Sequence, residues 1–308
     1  MSRVLVIGGT NTDIVGMTDA AFSLHDSNPG RVSSTAGGVG RNVAENLARL
    51  GLAVTFVTAF GDDEKGHARR QECEAAGIDV NRAVATPSVP GSVYLAILDE
   101  EGDLVVAVSD MRALDAIGPD EIAVALKHFA EPDALVLDAN LGPATLVKAR
   151  EIVAGPPLFL ECVSAAKAPR LIALLAGSTA VHANVFEAEA LTGCELEHSL
   201  DGATAGARAI ADLGVEAAYV TAGHHGIAYA SQSTHGGFTL PERAVVNATG
   251  AGDAFMAGVV TATLSGRTAR ESAAFAAACA AVAMRSADTV SPELDLRTVQ
   301  AEMEAMEQ

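Results

Sequence analysis

The chain has 308 residues, enough for two domains of ordinary size or for one large α/β domain with an appendage. Lys and Arg total 20 against 39 Asp and Glu, and the resulting net charge of −19 argues against binding nucleic acid or an anionic membrane surface. Hydrophobic residues make up 49% and charged residues 19%, which excludes wholesale disorder, and the absence of Trp weakens any reading as a single-strand stacking platform.

The first element is the apolar run Val4–Ile7, which reads as a strand and lacks the basic flank and cleavage site of a signal peptide. A polar stretch follows at Ser23–Thr35, with the turn-forming cluster Asp26-Ser27-Asn28-Pro29-Gly30. Arg41–Leu50 reads as a helix, Val54–Thr58 as a strand and Glu64–Ala76 as a helix. Ser92–Val108 reads as a hairpin turning at Asp99-Glu100-Glu101-Gly102. Strand-like runs then recur at Ala134–Leu137, Leu158–Leu160, Ala180–His182 and Ala217–Thr221. Helical patterns stand between them at Pro143–Val153, Pro169–Leu175, Phe186–Leu191 and Ala203–Leu213. A short strand is expected at Ala244–Val246, and two Ala- and Gly-rich helices near Ala251–Ser265 and Ala269–Arg285. Alternation of this kind predicts a mostly parallel sheet covered by helices, with the Ser23–Thr35 and Ser92–Val108 pieces as a small β-sheet beside it. No apolar run is long enough to span a bilayer, and Cys73, Cys162, Cys194 and Cys279 form no Cys-x-x-Cys pair. A cytoplasmic protein with reduced thiols and no zinc knuckle is expected.

Two glycine-rich runs carry the chemistry. Asn247-Ala248-Thr249-Gly250-Ala251-Gly252-Asp253 opens a helix. Gly250, Ala251 and Gly252 offer backbone N–H groups at the positive end of that helix, a setting suited to a developing phosphoryl charge. Asp253, in the first turn, stands where a carboxylate accepts a proton from an attacking hydroxyl. Taken alone, the run is equally a Gly-rich helix start with Asp as an ordinary dipole partner. The second run is Gly37-Gly38-Val39-Gly40-Arg41-Asn42, whose glycines permit close backbone approach and whose Asn42 amide suits sugar hydroxyls. Its spacing is not the dinucleotide fingerprint, and no Gly-x-x-x-x-Gly-Lys-Ser/Thr loop occurs in the chain.

Together the two runs resemble the signatures of the ribokinase-like, or PfkB, carbohydrate kinase family, in the expected order and separation. Gly9-Thr10-Asn11-Thr12-Asp13 resembles the family's sugar-binding segment, Asn184-Val185-Phe186-Glu187 its Asn-x-x-Glu segment, and Thr221-Ala222-Gly223-His224-His225-Gly226 its Thr-x-Gly-x-x-Gly nucleotide loop. Within the family the chain is most similar to the subgroup that phosphorylates pseudouridine. That likeness rests on Asp26–Gly30, on Asn247 in place of Asp, on Ser109-Asp110-Met111 and on Asp138-Ala139-Asn140. Two segments depart from the family pattern: His182-Ala183 where Lys-Pro is common, and Glu161-Cys162-Val163-Ser164 where Asp-Pro-Val-Ser is expected. Neither is expected to touch the base, although the second reshapes the pocket wall.

The resemblance implies a ribokinase-like three-layer α/β fold over residues 1–308, with a small β-sheet lid formed by about 14–36 and 90–111. It implies transfer of the ATP γ-phosphoryl to the 5′-hydroxyl of pseudouridine, with Asp253 as base. Asn11, Asp13, Gly38 and Asn42 would bind the ribose, Asp26 and Asn28 the base edge, and Lys167 a phosphate or the substrate. Ser92 and Tyr94, on one face of the hairpin, would cover the sugar or base. Asn184, Thr221, Gly223, Gly226 and Thr249 would line the nucleotide, and Glu187 would hold Mg²⁺ through water. A monovalent cation such as K⁺ and a homodimer through the lid are compatible with the family. Another nucleoside or sugar kinase of this fold, or a non-catalytic nucleotide or sugar sensor, stands as the alternative.

Overall fold

A computed structural model describes residues 1–240 and 245–306. Strand β1 (Arg3–Ile7) is buried along Val4–Ile7, with Val4 and Val6 entering one apolar core and Leu5 and Ile7 the other. That period of two, apolar on both faces, marks a central strand of a covered parallel sheet. The chain then leaves this sheet for β2 (Asn11–Thr18) and β3 (Gly30–Gly37), and returns through α1 (Val39–Arg49), β4 (Ala53–Val57) and α2 (Glu64–Ala75). A second excursion makes β5 (Val93–Leu98) and β6 (Leu104–Asp110). Short helices α3 (Arg112–Asp115) and α4 (Pro119–Ala125) lead back to β7 (Ala134–Asp138). Then follow α5 (Pro143–Ile152), β8 (Leu158–Glu161), α6 (Ile172–Leu175), β9 (Ala180–Asn184), α7 (Val185–Thr192), α8 (Leu200–Asp212) and β10 (Ala217–Thr221). The chain finishes with β11 (Ile227–Ser231), β12 (His235–Phe238), α9 (Ala251–Leu264), α10 (Ala269–Met284) and α11 (Leu296–Met306).

Among the described residues, eight strands form the larger sheet in the order β12-β11-β10-β9-β8-β7-β1-β4. β4, β1, β7, β8, β9 and β10 run parallel, and β11 and β12 close the edge antiparallel. Residues of α1, α9 and α10 fill the core on one face, and residues of α4 to α8 fill it on the other. The expected ribokinase-like α/β architecture is therefore present, with its small sheet: β3-β2-β5-β6, antiparallel at β2/β3 and β5/β6 and parallel at β2/β5. The Ala- and Gly-rich helices pack closely, since a Cβ on Gly258 of α9 would lie 2.6 Å from Ala276 Cα of α10.

The polar 23–35 stretch joins the small sheet as expected: its second half falls in β3, an exposed strand held by its register with β2, so no apolar alternation marks it. Other elements differ from expectation. α3, α4, β11, β12 and α11 lie in segments to which the sequence pattern assigned no element. Of the strand expected at Ala244–Val246, Ala244 lies outside the described residues, and Val245 and Val246 are exposed and not in a strand. The parallel strands β1, β7, β8, β9 and β10 end on one edge of the sheet, where open α/β sheets place their ligands.

Candidate active site

The two glycine-rich runs meet at that edge. Gly38 caps α1 with φ +99°, and a Cβ there would stand 2.5 Å from Thr10 Cα, so only glycine lets the turn press on the segment after β1. The Arg41 N–H donates to the Gly9 carbonyl at 3.0 Å, and α1 starts with Asn42 on its inner face. Asn42 Nδ2 donates to Asp253 Oδ2 at 2.7 Å, across 211 residues of sequence. Arg41 Nη1 donates to Asn42 Oδ1 at 2.9 Å and its guanidinium also pairs with Glu45, so the Asn42 amide has one orientation.

Asp253 is the third residue of α9, behind Gly250 at φ +84°. A Cβ on Gly250 would lie 2.1 Å from the Thr289 carbonyl oxygen. The Ala251 N–H is partly used, donating to Ala248 O at 3.3 Å, whereas Gly252 and Asp253 lie in the first helical turn, where no carbonyl four residues back belongs to the helix. The Asp253 side chain is buried, and burial pushes its carboxyl well above the usual range. The Glu161 charge adds to that, while the Asn42 bond and His182 pull it back. A partly desolvated carboxylate beside open helix N–H groups can take a hydroxyl proton while the N–H groups receive phosphoryl charge.

The residues expected on the acceptor side lie on β2 and at the end of β7. Asn11 Nδ2 donates to Asp13 Oδ1 at 2.5 Å, and burial raises the Asp13 carboxyl against that bond and the nearby Arg41 and Arg69 charges. Tyr94 stands opposite Asp13 in the β2/β5 register, so the two share a face of the small sheet. The Ser92 carbonyl accepts from the Thr12 N–H at 2.8 Å, and the Ser92 side chain is buried. Below them Asp138 accepts from the Gly9 N–H at 2.8 Å and from the Asn140 N–H at 2.9 Å. Lys167 Nζ donates to Asn140 Oδ1 at 2.7 Å, and burial lowers its ammonium from the ordinary lysine value. Asp26 and Asn28 are placed apart from this cluster. They lie beyond Thr18, seven residues along β2 from Asn11, or roughly 23 Å of strand. Both ends of the Asn28 amide are used on its own loop, with Ser23 N–H at 2.7 Å and Ser23 O at 2.9 Å.

The residues expected to line the nucleotide gather at the ends of β9 and β10. Asn184 and Glu187 form a reciprocal cap on α7: the Glu187 N–H donates to Asn184 Oδ1 at 3.0 Å, and the Asn184 N–H to Glu187 Oε2 at 2.8 Å. Burial, with Glu161 nearby, raises the Glu187 carboxyl. Thr221 ends β10 and is followed by the tight Gly223–His225 turn, and Gly226 takes φ +118° under the Phe238 carbonyl. Thr249 is exposed beside the α9 start, its N–H donating to Asn247 Oδ1 at 2.9 Å. Among the described residues no group of three or more His, Cys, Asp or Glu side chains could cage a metal ion. Glu187 is a buried carboxylate with Glu161 nearby, the kind of group that would hold Mg²⁺ through the ion's waters.

The model of the pfkB carbohydrate kinase family matches residues 1–296. The chain belongs to that family. It is 32% identical over 297 residues to the pseudouridine kinase of Escherichia coli, covering 96% of this chain and 95% of that one. The structure is similar to a carbohydrate kinase from Agrobacterium tumefaciens, with TM-score 0.86, 30% identity and 99% and 98% of the two chains covered. It shares its fold with the ribokinase of Arabidopsis thaliana complexed with ribose and ATP, at TM-score 0.84, 21% identity and 98% of each chain covered.

The PfkB motifs identify Asn42 and Asp253 but not what surrounds them. Asp138 and Arg41 hold the loop after β1 and the Asn42 amide; in sequence Asp138 shows only as part of the Asp138-Ala139-Asn140 likeness and Arg41 only as a cation beside the glycines. Glu161 and His182 stand out in sequence only as departures, not expected to touch the base. They pair with each other, His182 Nδ1 to Glu161 Oε2 at 2.7 Å, and act on Asp253 through their charges. Burial would push the His182 imidazole down, but the Glu161, Glu187 and Asp253 charges outweigh it and hold the group above the usual histidine value.

Proposed function

We propose that this PfkB kinase transfers the γ-phosphoryl group of ATP to the 5′-hydroxyl of pseudouridine. The hydroxyl oxygen forms the new bond to the γ-phosphorus as the bridging bond to the β-phosphate breaks, ADP leaves, and the hydroxyl proton passes to Asp253. The Gly252 and Asp253 N–H groups, with the Gly250 and Ala251 turn, receive the charge that builds on the phosphoryl oxygens. Asn11, Asp13, Gly38 and Asn42 hold the ribose, Tyr94, Ser92 and Lys167 face the acceptor, and Asn184, Thr221, Gly223, Gly226 and Thr249 line the nucleotide. Glu187 would hold Mg²⁺ through water, and the ion would supply positive charge to the ATP phosphates. The lid, 14–36 and 90–111 within a single 1–308 unit, excludes water when it closes.

The observation that carries the reading is the 2.7 Å bond from Asn42 to Asp253, which joins an acceptor-side residue to a carboxylate at a helix N-terminus. The choice of pseudouridine is supported by the likeness to the Escherichia coli enzyme over nearly the whole chain. A cytoplasmic location accords with four free thiols, and a lid-to-lid homodimer with the exposed Leu104, Val106 and Val108 of β6. Among the described residues no helix is long and apolar enough to cross a membrane.

ATP consumption on a panel of nucleosides and free sugars tests the reading. Pseudouridine is expected to give a far higher kcat/KM than uridine, ribose or fructose. Preference for a free sugar would replace the acceptor and leave the kinase, whereas no turnover with any acceptor would leave a nucleotide or sugar sensor.

A further inference from the structure

Glu161 and His182 are used by no step above, yet they lie directly beneath the catalytic turn. They are register partners, Glu161 at the end of β8 and His182 in the middle of β9, so they stand side by side on one face of the sheet, each side chain at most 6% exposed. The His182 ring packs on Phe255, two residues after Asp253, with centroids 4.9 Å apart. A Cβ on Gly252 would come within 3.2 Å of His182 Cε1, so the imidazole edge is the floor of the turn that presents the Gly252 N–H. Nδ1 is committed to Glu161 at 2.7 Å, and Nε2 points to the Thr221 hydroxyl at 3.5 Å, on the nucleotide side.

Three further observations converge. Both residues depart from the PfkB pattern, and the departures are complementary: a shorter cation than Lys on one strand and a longer carboxylate than Asp on its neighbour. The chain after Glu161 is strained, with Val163 at φ +68° and the Ser164 N–H donating to Cys162 O at 2.7 Å. Such a turn around a β-branched residue is costly and persists where the surroundings impose it. Finally, Glu161, Glu187 and Asp253 all act on His182 in a buried region, where a carboxylate group needs a cation among its members.

We propose that Glu161 and His182 form a positioning pair for phosphoryl transfer: the imidazole, held by the Glu161 carboxylate, sits under the Gly250–Gly252 turn with its Nε2 side toward Thr221. The pair rests on the kinase reading for its role, and calorimetry tests it apart from turnover. A fixed charge in a dry site stabilises developing phosphate charge without reorganising, and the ring sets the height of the Gly252 N–H.

Three variants decide it: His182→Gln, His182→Lys and Glu161→Gln, each with its melting temperature. His182→Gln is expected to lower kcat by about a hundredfold and raise the KM for ATP, leaving the nucleoside KM within about twofold. His182→Lys restores the cation and is expected to recover kcat to within several-fold. Glu161→Gln keeps a hydrogen-bond acceptor, loses the charge and shifts the same parameters in the same direction as His182→Gln. Calorimetry with Mg·AMP-PNP reads the contrast without turnover: affinity about tenfold weaker in His182→Gln and near native in His182→Lys. Equal affinities in all four proteins overturn the proposal, as does a His182→Lys variant no better than His182→Gln, which would leave the ring a packing role. Failure of the kinase reading has a different signature, a wild-type protein inactive on every acceptor.

Discussion

At Asp253 the demands of chemistry and stability oppose each other. Its carboxyl is raised by burial and by Glu161, so the charged form is disfavoured in the folded chain. Its contribution to stability is full at pH below its unfolded value and is lost as pH rises through the raised folded value. Asp253→Asn is therefore expected to melt at or above the wild-type temperature at neutral pH while kcat falls by about 10²–10⁴-fold, the usual worth of a general base. A folded variant with near-native turnover would remove Asp253 from the mechanism. With Asp253 as the proposed base, the same group is expected to set the acid limb of activity, because the base must be ionised and kcat/KM falls as pH drops through its raised value. The Asn42 bond favours the charged form. Asn42→Ala is thus expected to move the acid limb of the kcat/KM profile to higher pH, and an unmoved limb would mean that the bond is absent in the working enzyme.

Helix starts and turns hold the phosphate side of the site. Glu187 caps α7 through Oε2 and is also the residue assigned to Mg²⁺, and the two roles separate in Glu187→Gln. The amide oxygen can still accept the Asn184 N–H but carries no charge. Melting is expected to change little, while turnover falls and more Mg²⁺ is needed to reach it, with pseudouridine affinity kept. Lost nucleoside affinity with normal ATP handling, read by calorimetry, would reverse the assignment. Asn184→Ala breaks the cap itself, and loss of about 1 kcal/mol is expected in denaturant unfolding. The Gly250 turn is less forgiving. Its φ of +84° and a Cβ position 2.1 Å from the Thr289 carbonyl oxygen leave no room for a side chain. Gly250→Ala is expected to cost more than the 1–2 kcal/mol or so of a left-handed residue alone and to lower kcat together with stability.

Across the whole molecule the charge of −19 opposes a phosphate-bearing substrate. Local N–H groups must hold the anion against that field, which reaches about 30 Å at 0.01 M salt and about 10 Å at 0.1 M. The KM for MgATP is therefore expected to fall as ionic strength rises over that range, the opposite of a basic kinase. A KM that rises instead would place a cationic patch at the mouth of the site. The lid sheet carries its own tension: Val32, Leu104, Val106 and Val108 are exposed on strands paired only within a four-stranded sheet. Sedimentation across a concentration series reads whether a second copy covers them.

The layered α/β class was legible in sequence because a buried parallel strand must be apolar on both faces, as Val4–Ile7, Ala134–Leu137 and Ala217–Thr221 are. The glycine runs were legible because only glycine tolerates the backbone at 38 and 250, and Asp253 because it follows such a run at a helix start. That the 23–35 piece joins a small sheet was legible, but the bounds of β3 were not, since an exposed strand held by its register with β2 carries no apolar period. Nor was the placement of Asn28, whose amide the loop itself consumes. Only the tertiary structure decided that Asn42 meets Asp253 and that Glu161 meets His182, because strand order and register bring together residues 211 and 21 positions apart, and local propensity holds no record of either distance.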